Sequence, residues 1–416
     1  MAGLPIGRGA FVKAPTSPMG RRMDIHPLVT DTATLSRLID RMRRADFVAV
    51  DTEFMRENSY YPELCLVQVG TSSEAAAIDP KAPGLDLAPL LALMLDERVL
   101  KVMHAGGQDI EIFVHLTGRV PQPLFDTQVA AMALGLGEQA SYAALVAHYT
   151  GHQVDKGARF TDWARRPLTE RQVRYAIGDV THLAELFPRM LDQLKRRGRG
   201  QWLDEEMARL SDPSNYVTDP EQAWQRLKLP SRKAEVLGRI KALARWRELE
   251  AMQRNLPRGR ILKDETLADL AASPPTRQAD LAEVRGLSAG WATNAMGQRL
   301  MQVLEQATPL DPADLPQREP SRPGLSGDGA LVTDLLKLLL KVRAKEAKVA
   351  PRLLARADEL EALASGQREG LALLEGWRRE VFGEDALALV EGRIAFAVED
   401  GSLCLSRTIR PERKRA

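Results

Sequence analysis

The sequence predicts an α/β domain on a mixed β-sheet, followed by an all-α half. Three observations carry this reading. Between positions 24 and 210, short β-prone apolar runs alternate with helical patterns. Beyond Ser211 the strand signals nearly vanish, and a proline-rich stretch over 308–329 divides the helical half in two. A chain of 416 residues exceeds one compact core, so two or three domains are expected.

Phe47, Val48, Ala49 and Val50 form the first strand, which ends at Asp51. The second covers 65–69 and closes on Gly70, the third 75–78 and the fourth 99–103. The first three lie close enough in sequence for an antiparallel meander. Between the third and fourth, Leu87, Leu90, Leu91, Met94 and Leu95 have helical spacing, so the fourth strand returns in parallel. Thr169 to Gln172 read as a capping box that opens a helix towards Leu186. In the helical half, Val236, Leu237, Ile240, Leu243, Trp246 and Leu249 make the apolar face of a long helix ended by Pro257 and Gly259. Shorter helices fit 265–272 and 278–284. The expected organisation is a basic disordered extension (1–22), the α/β domain (23–210), a helical domain (212–307), a linker (308–329), a second helical domain (330–400) and a basic tail (401–416).

Composition excludes several classes. Apolar residues make up 44% and charged residues 27%, ordinary for a soluble globular protein. The net charge is +2, so any nucleic-acid surface must come from local clustering. Cys65 and Cys404 fit no disulfide framework or zinc spacing, and reduced thiols in a cytoplasmic protein are expected. No apolar run reaches the roughly 18–20 residues of a membrane span. The first 22 residues hold Arg8, Lys13, Arg21 and Arg22 and lack the apolar stretch of a secretory signal; Met23 is the expected working start.

The chemistry rests on carboxylates. Asp51 and Glu53 are two apart at a strand end and therefore share a face. Alone, such a pair is usually a solvated turn. Asp109 falls in the first turn of a helix after the fourth strand, where dipole compensation is the competing reading. Asp126 reads as a helix cap. Tyr175 and Asp179, four apart, share a helical face. Four carboxylates from separate segments repel each other unless a counter-charge joins them. All-oxygen ligation favours two hard divalent ions, Mg²⁺ or Mn²⁺, which activate water and stabilise a leaving oxygen.

At these residues the chain resembles the DEDDy exonuclease family, and within it the ribonuclease D branch. Asp51-Thr52-Glu53-Phe54, His104-x4-Asp109 and Tyr175-x3-Asp179 match its three motifs in order and separation. Tyr61 to Gln68, Phe125 to Gln128 and Asp155 to Leu168 add support. The resemblance implies a ribonuclease-H-like fold and release of 5′-mononucleotides from an RNA 3′ end, with tRNA precursors as expected substrates. A monomer is expected. The resemblance also implies that Asp51, Glu53, Asp109 and Asp179 ligate two metal ions and that Tyr175 positions the attacking water. Gly106-Gly107 and Gly178 depart mildly from the family pattern. Over 212–307, Trp246-Arg247-Glu248, Asn255-Leu256-Pro257 and Ile261 to Asp264 resemble an HRDC domain, the helical module shared by helicases and ribonuclease D. The second helical region resembles a second HRDC domain only in position, length and helicity.

Single-stranded RNA is held by cations on phosphate and flat side chains on bases. Phe54, Tyr60, Tyr61 and Leu64 follow the first motif and are candidates to stack or wedge the terminal base. Lys156, Arg159, Arg165 and Arg166 surround Trp163 and form a candidate phosphate track. His104 is a further candidate, although a satisfied strand-end histidine is the simpler reading. Arg232, Lys233, Arg239, Lys241, Arg245, Arg247, Arg254, Arg258 and Arg260 make the long HRDC helix basic, a candidate RNA contact. The alternatives are a DNA exonuclease of the same class and a non-catalytic RNA-binding scaffold; a Rossmann-type enzyme lacks its Gly-rich fingerprint.

Overall fold

The structure, a computed structural model, describes residues 23–155, 157–158, 160–311, 314 and 328–407, with the backbone alone of 4–5 and 11–12. Lys156 and Arg159, the rest of the extension, most of the linker and the end of the tail lie outside the described residues. Strands β1 (Leu4–Pro5) and β2 (Phe11–Val12) pair with each other.

The α/β domain holds a six-stranded sheet. Its strands are β3 (Asp24–Ile25), β4 (Phe47–Met55), β5 (Glu63–Gly70), β6 (Glu74–Ile78), β7 (Leu100–Met103) and β8 (Leu124–Asp126), in the order β3-β6-β5-β4-β7-β8. β4, β5 and β6 form the expected antiparallel meander, and β7 returns parallel to β4. β3 and β8 add parallel edges too short to register as periodic signals. Helices α1 (Thr32–Met42), α2 (Ala88–Met94) and α3 (Gly107–Thr117) cover one face; α4 (Thr127–Leu134), α5 (Tyr142–Thr150) and α6 (Glu170–Arg196) cover the other. The period of two along β4 is visible in the cores. Phe47 and Ala49 pack under α6, while Val48 and Val50 pack with α1 and α3.

Two element boundaries differ from expectation. β4 does not end at Asp51 but runs to Met55, pairing Asp51 with Gln68 and Glu53 with Leu66 before its register shifts. The carboxylates therefore sit inside a strand, and residues 47, 49, 51 and 53 face α6. α6 continues to Arg196, past Pro188, because Phe187, Met190, Leu191 and Leu194 keep the helical period and bury. Packing of that face outweighs the lost amide hydrogen bond at Pro188.

α7 (Asp204–Leu210) packs on the α/β domain through Met207, and the helical half follows with α8 (Ala234–Arg254), α9 (Arg258–Ile261), α10 (Asp264–Ala272) and α11 (Ala295–Gln306). Residues 278–283 form a 3-10 turn rather than an α-helix. α8 through α11 enclose a core of their own around Leu237, Ile240, Leu243, Leu270 and Leu300. The next region opens with α12 (Gly329–Ala347). Its Leu336, Leu339 and Leu340 join the same core as Phe187 and Leu194 of α6, so this region is fused to the α/β domain. It is not helical to its end. Ile394–Glu399 and Ser402–Arg407 pair as a hairpin through Asp400 and Gly401, both at positive φ. Asp-Gly between alternating apolar residues is the usual two-residue hairpin turn, a signal passed over at the sequence level. Among the described residues no helix is long and apolar enough to cross a membrane.

Candidate active site

Two elements from opposite ends of the α/β domain build the site. β4 sends Asp51 and Glu53 towards α6. α6 is started by Thr169, whose hydroxyl accepts the Gln172 amide while Gln172 reaches back to the Thr169 amide. Two turns on, its sheet-facing side carries Asp179, which is buried. One carboxylate oxygen each from Asp51, Glu53 and Asp179 lie within 4.8 Å of one another.

Asp109, on α3, acts electrostatically on Asp51 but is not among the three carboxylates that meet within that distance. The Thr52 hydroxyl, on the opposite face of β4 from Asp51, donates to the Asp109 carboxylate. The loop ahead of α3 is fixed by Asp126, which takes the amides of Ala105 (3.2 Å) and Gly106 (2.9 Å) and also caps α4 through Gln128 and Val129. Asp126 is thus the cap that its sequence context indicates, and it holds the second motif as well. Gly106 has a local reason: a Cβ there would lie 2.7 Å from the Cβ of Met103.

The electrostatics are those of crowded acids. Burial, then Asp109, Asp179 and Glu53, push the Asp51 carboxyl well above the ordinary carboxylate range. Burial pushes Asp109 up to about 6 against the opposing Thr52 hydrogen bond. An all-oxygen donor set under mutual repulsion fits hard divalent cations.

Tyr175 lies one turn before Asp179 on α6, with its ring centroid 6.2 Å from that of Trp163. Tyr142 was not anticipated. Its hydroxyl, at the start of α5, donates to the backbone carbonyls of Asp179 and Gly178. His104 meets Thr127 Oγ1 at 3.0 Å and packs against the Tyr142 ring, the arrangement of a satisfied strand-end histidine.

Several candidate substrate contacts are engaged elsewhere. Trp163 is 2% exposed and belongs to a small core with Cys65, Leu66 and Ile177, so it offers no face to a base. Arg166 makes a fork to Asp79 at 2.7 and 2.6 Å and donates to the carbonyls of Cys65 and Trp163. These bonds make it a tie between segments of the domain. Tyr61 stacks on His115 at 3.8 Å. Phe54 and Leu64 pair across β4 and β5 and are half-buried, Leu64 against the core under α1–α3, and Arg165 is exposed. Along α8 and α9 five of the basic residues are paired: Lys241, Arg245, Arg247, Arg254 and Arg258 with Asp314, Glu221, Asp264, Glu250 and Glu248. The sequence shows the cations but not their partners.

The comparisons with known proteins agree with this geometry. Residues 27–195 match the 3′-5′ exonuclease family model and residues 236–304 the HRDC domain model. Ribonuclease D of Sphingobium indicum is 65% identical over 387 residues, covering 93% of this chain and 100% of the relative. Ribonuclease D of Zymomonas mobilis is 58% identical, covering 92% and 99%. The chain belongs to the ribonuclease D family. Among solved structures it is similar to Escherichia coli RNase D, described as an exoribonuclease involved in structured RNA processing, with a TM-score of 0.71 and 30% identity over 88% of this chain and 99% of that one. A ribonuclease D is a 3′→5′ exoribonuclease, and the ribonuclease-H-like sheet followed by an HRDC domain is its architecture.

Proposed function

We propose that this ribonuclease D removes 5′-mononucleotides one at a time from single-stranded 3′ ends of structured RNA, tRNA precursors foremost, with two divalent ions, Mg²⁺ or Mn²⁺. The observation that carries the reading is the convergence of Asp51, Glu53 and Asp179 within 4.8 Å, with Asp109 adjoining. These four residues would hold the ions. When bound, the ions supply the positive charge that keeps the carboxylates ionised beside a phosphodiester, acidifies a water and stabilises the leaving oxygen.

The chain's own groups do the rest. The Tyr175 hydroxyl orients the attacking water, one helical turn from Asp179. Thr52 holds Asp109 in one orientation. Phe54 and Leu64 line the wall against which the terminal nucleotide rests, and Arg165 offers a cation to the phosphate behind it. Both thiols are unpaired, as a reducing compartment keeps them, and we place the enzyme in the cytoplasm. The region from Gly329 to Val390 is in this reading a second HRDC-like unit.

The test is digestion of one RNA labelled at its 3′ end or its 5′ end, with Mg²⁺, Mn²⁺ or chelator, and with a DNA of the same sequence alongside. The expected result is immediate release of the 3′ label as mononucleotide and a ladder from the 5′-labelled strand. Activity should vanish in chelator and in Asp51→Asn, and DNA should be cut poorly. Internal cuts, or equal turnover by Asp51→Asn, would overturn the reading.

A further inference from the structure

The HRDC domain grips the α/β domain at the turn that joins β4 to β5, residues 56–62. Asn255, the left-handed residue that ends α8 (φ 49°), accepts the backbone amides of Tyr60 and Tyr61 on one side-chain oxygen, at 3.1 and 3.0 Å. The Tyr60 ring packs on the HRDC core, and its hydroxyl donates to Glu248, which is 1% exposed. Arg258 clasps Glu248 with two bonds of 2.6 and 2.7 Å, reaches the Tyr60 oxygen at 3.2 Å and lies 5.0 Å from the centre of its ring. The other side of the turn is tied to α3: Arg56 pairs with Glu111, and Tyr61 stacks on His115.

This turn bears directly on the site. It links the half of β4 that carries Glu53 and Phe54 to the half of β5 that carries Leu64, and the β4–β5 register shifts between Glu53 and Phe54. A seven-residue turn at a register shift has no repeating ladder to hold it, so its position follows from whatever binds its tip. Here the tip is bound by α3, which bears Asp109, and by the HRDC domain.

We propose that Asn255, Glu248 and Arg258 are positioning residues of the exonuclease site. They fix the β4–β5 turn, and through it Phe54 and Leu64, so that the HRDC domain governs the binding of the terminal nucleotide even in RNA too short to touch that domain. The inference rests on the reading of Phe54 and Leu64 as the wall of the nucleotide site. It differs from a role in anchoring long RNA, since it requires no contact between RNA and the HRDC domain.

The full chain carrying Asn255→Gly tests it. Glycine keeps the left-handed turn and removes only the acceptor. On a short single-stranded oligoribonucleotide, KM should rise about tenfold with a much smaller change in kcat. Amide hydrogen exchange should quicken in 56–64 while the HRDC core peptides and the melting temperature stay as in the parent. Asn255→Asp, which keeps the acceptor and the backbone conformation, should restore KM. Unchanged KM and unchanged exchange in Asn255→Gly would overturn the proposal, as would a loss seen only on long structured RNA. If Phe54 and Leu64 do not contact the nucleotide, exchange in 56–64 still quickens while KM stays put; that outcome refutes the catalytic consequence and locates the fault in the wall assignment. A parent enzyme without exonuclease activity would identify failure of the underlying function itself.

Discussion

The indole of Trp202 lies flat on that of Trp377, with ring centroids 4.1 Å apart and planes 7° apart. Trp202 follows the catalytic helix, and Trp377 belongs to the region after the linker. Around this pair Arg199 donates to the carbonyls of Ala133 and Lys348, the Ala350 amide reaches the Met132 carbonyl, and Arg378 pairs with Glu205. Gly135 sits at φ 73° against the Lys348 carbonyl, where any Cβ would collide. The region after the linker thus completes the core on which α6 rests.

Truncation after residue 307 should therefore unfold or strongly destabilise the exonuclease domain, not simply weaken RNA binding. Trp377→Ala in the full chain should cost about 2–3 kcal/mol, somewhat under the range for a fully buried tryptophan, and Gly135→Ala at least ~1 kcal/mol. Denaturant melts monitored by tryptophan fluorescence check both. A truncated protein that melts like the parent would show that the shared core contributes nothing to stability.

Arg166 and Asp79 make a second test. Asp79 is 4% exposed and Arg166 is half-buried behind it, so removing either leaves a charge with little solvent. Asp79→Asn and Arg166→Ala should each destabilise by about 3 kcal/mol, the cost of breaking a largely buried pair. RNA affinity measured on the folded fraction should stay unchanged. Lower affinity with an unchanged melt would return Arg166 to the phosphate track.

That residue shows where the sequence was legible and where it was not. The three motifs betray themselves because strand and helix periods place Asp51 with Glu53 and Tyr175 with Asp179, and because acids in three separate apolar settings ask for a common cause. The meander and the parallel β7 follow from segment lengths. Side-chain pairing does not. Nothing in the local sequence says that Arg166 meets a carboxylate 87 residues away, that Trp163 is turned inward, or that the HRDC cations have acidic partners. Thr52 and Tyr142 escaped because a hydroxyl's partner is set by tertiary approach. The C-terminal hairpin was legible in Asp400-Gly401 and was obscured by the helical texture before it.

The Tyr60–Glu248–Arg258 cluster gives a pH prediction. Burial opposes the Glu248 charge, but hydrogen bonds from Arg258 and Tyr60 outweigh it, and the carboxyl titrates below its ordinary value of 4.5. A depressed carboxyl stabilises the fold fully above its unfolded pKa, and that stabilisation is lost as pH falls through the folded one. The stability difference between the parent and Glu248→Gln should thus be constant above about pH 5.5 and shrink steadily below 4.5. Thermal melts of both proteins across pH 3–8, taken as a difference to cancel the other carboxylates, read it directly. A difference that grows on acidification would mean the cluster favours the protonated acid.

Tyr175→Phe separates water positioning from metal binding. The ring, its packing near Trp163 and the α6 backbone are retained, and only the hydroxyl is lost. Single-turnover hydrolysis should slow by about 10²-fold, within the range for losing one group that orients or exchanges a proton. The Mg²⁺ concentration giving half-maximal rate should not move, because the four proposed ligands are all retained. Asp179→Asn should do the opposite in kind, raising the metal requirement as well as lowering the rate. If Tyr175→Phe instead raised the metal requirement with little loss at saturating Mg²⁺, the tyrosine would be a support for the ligand Asp179 rather than the group that aims the water.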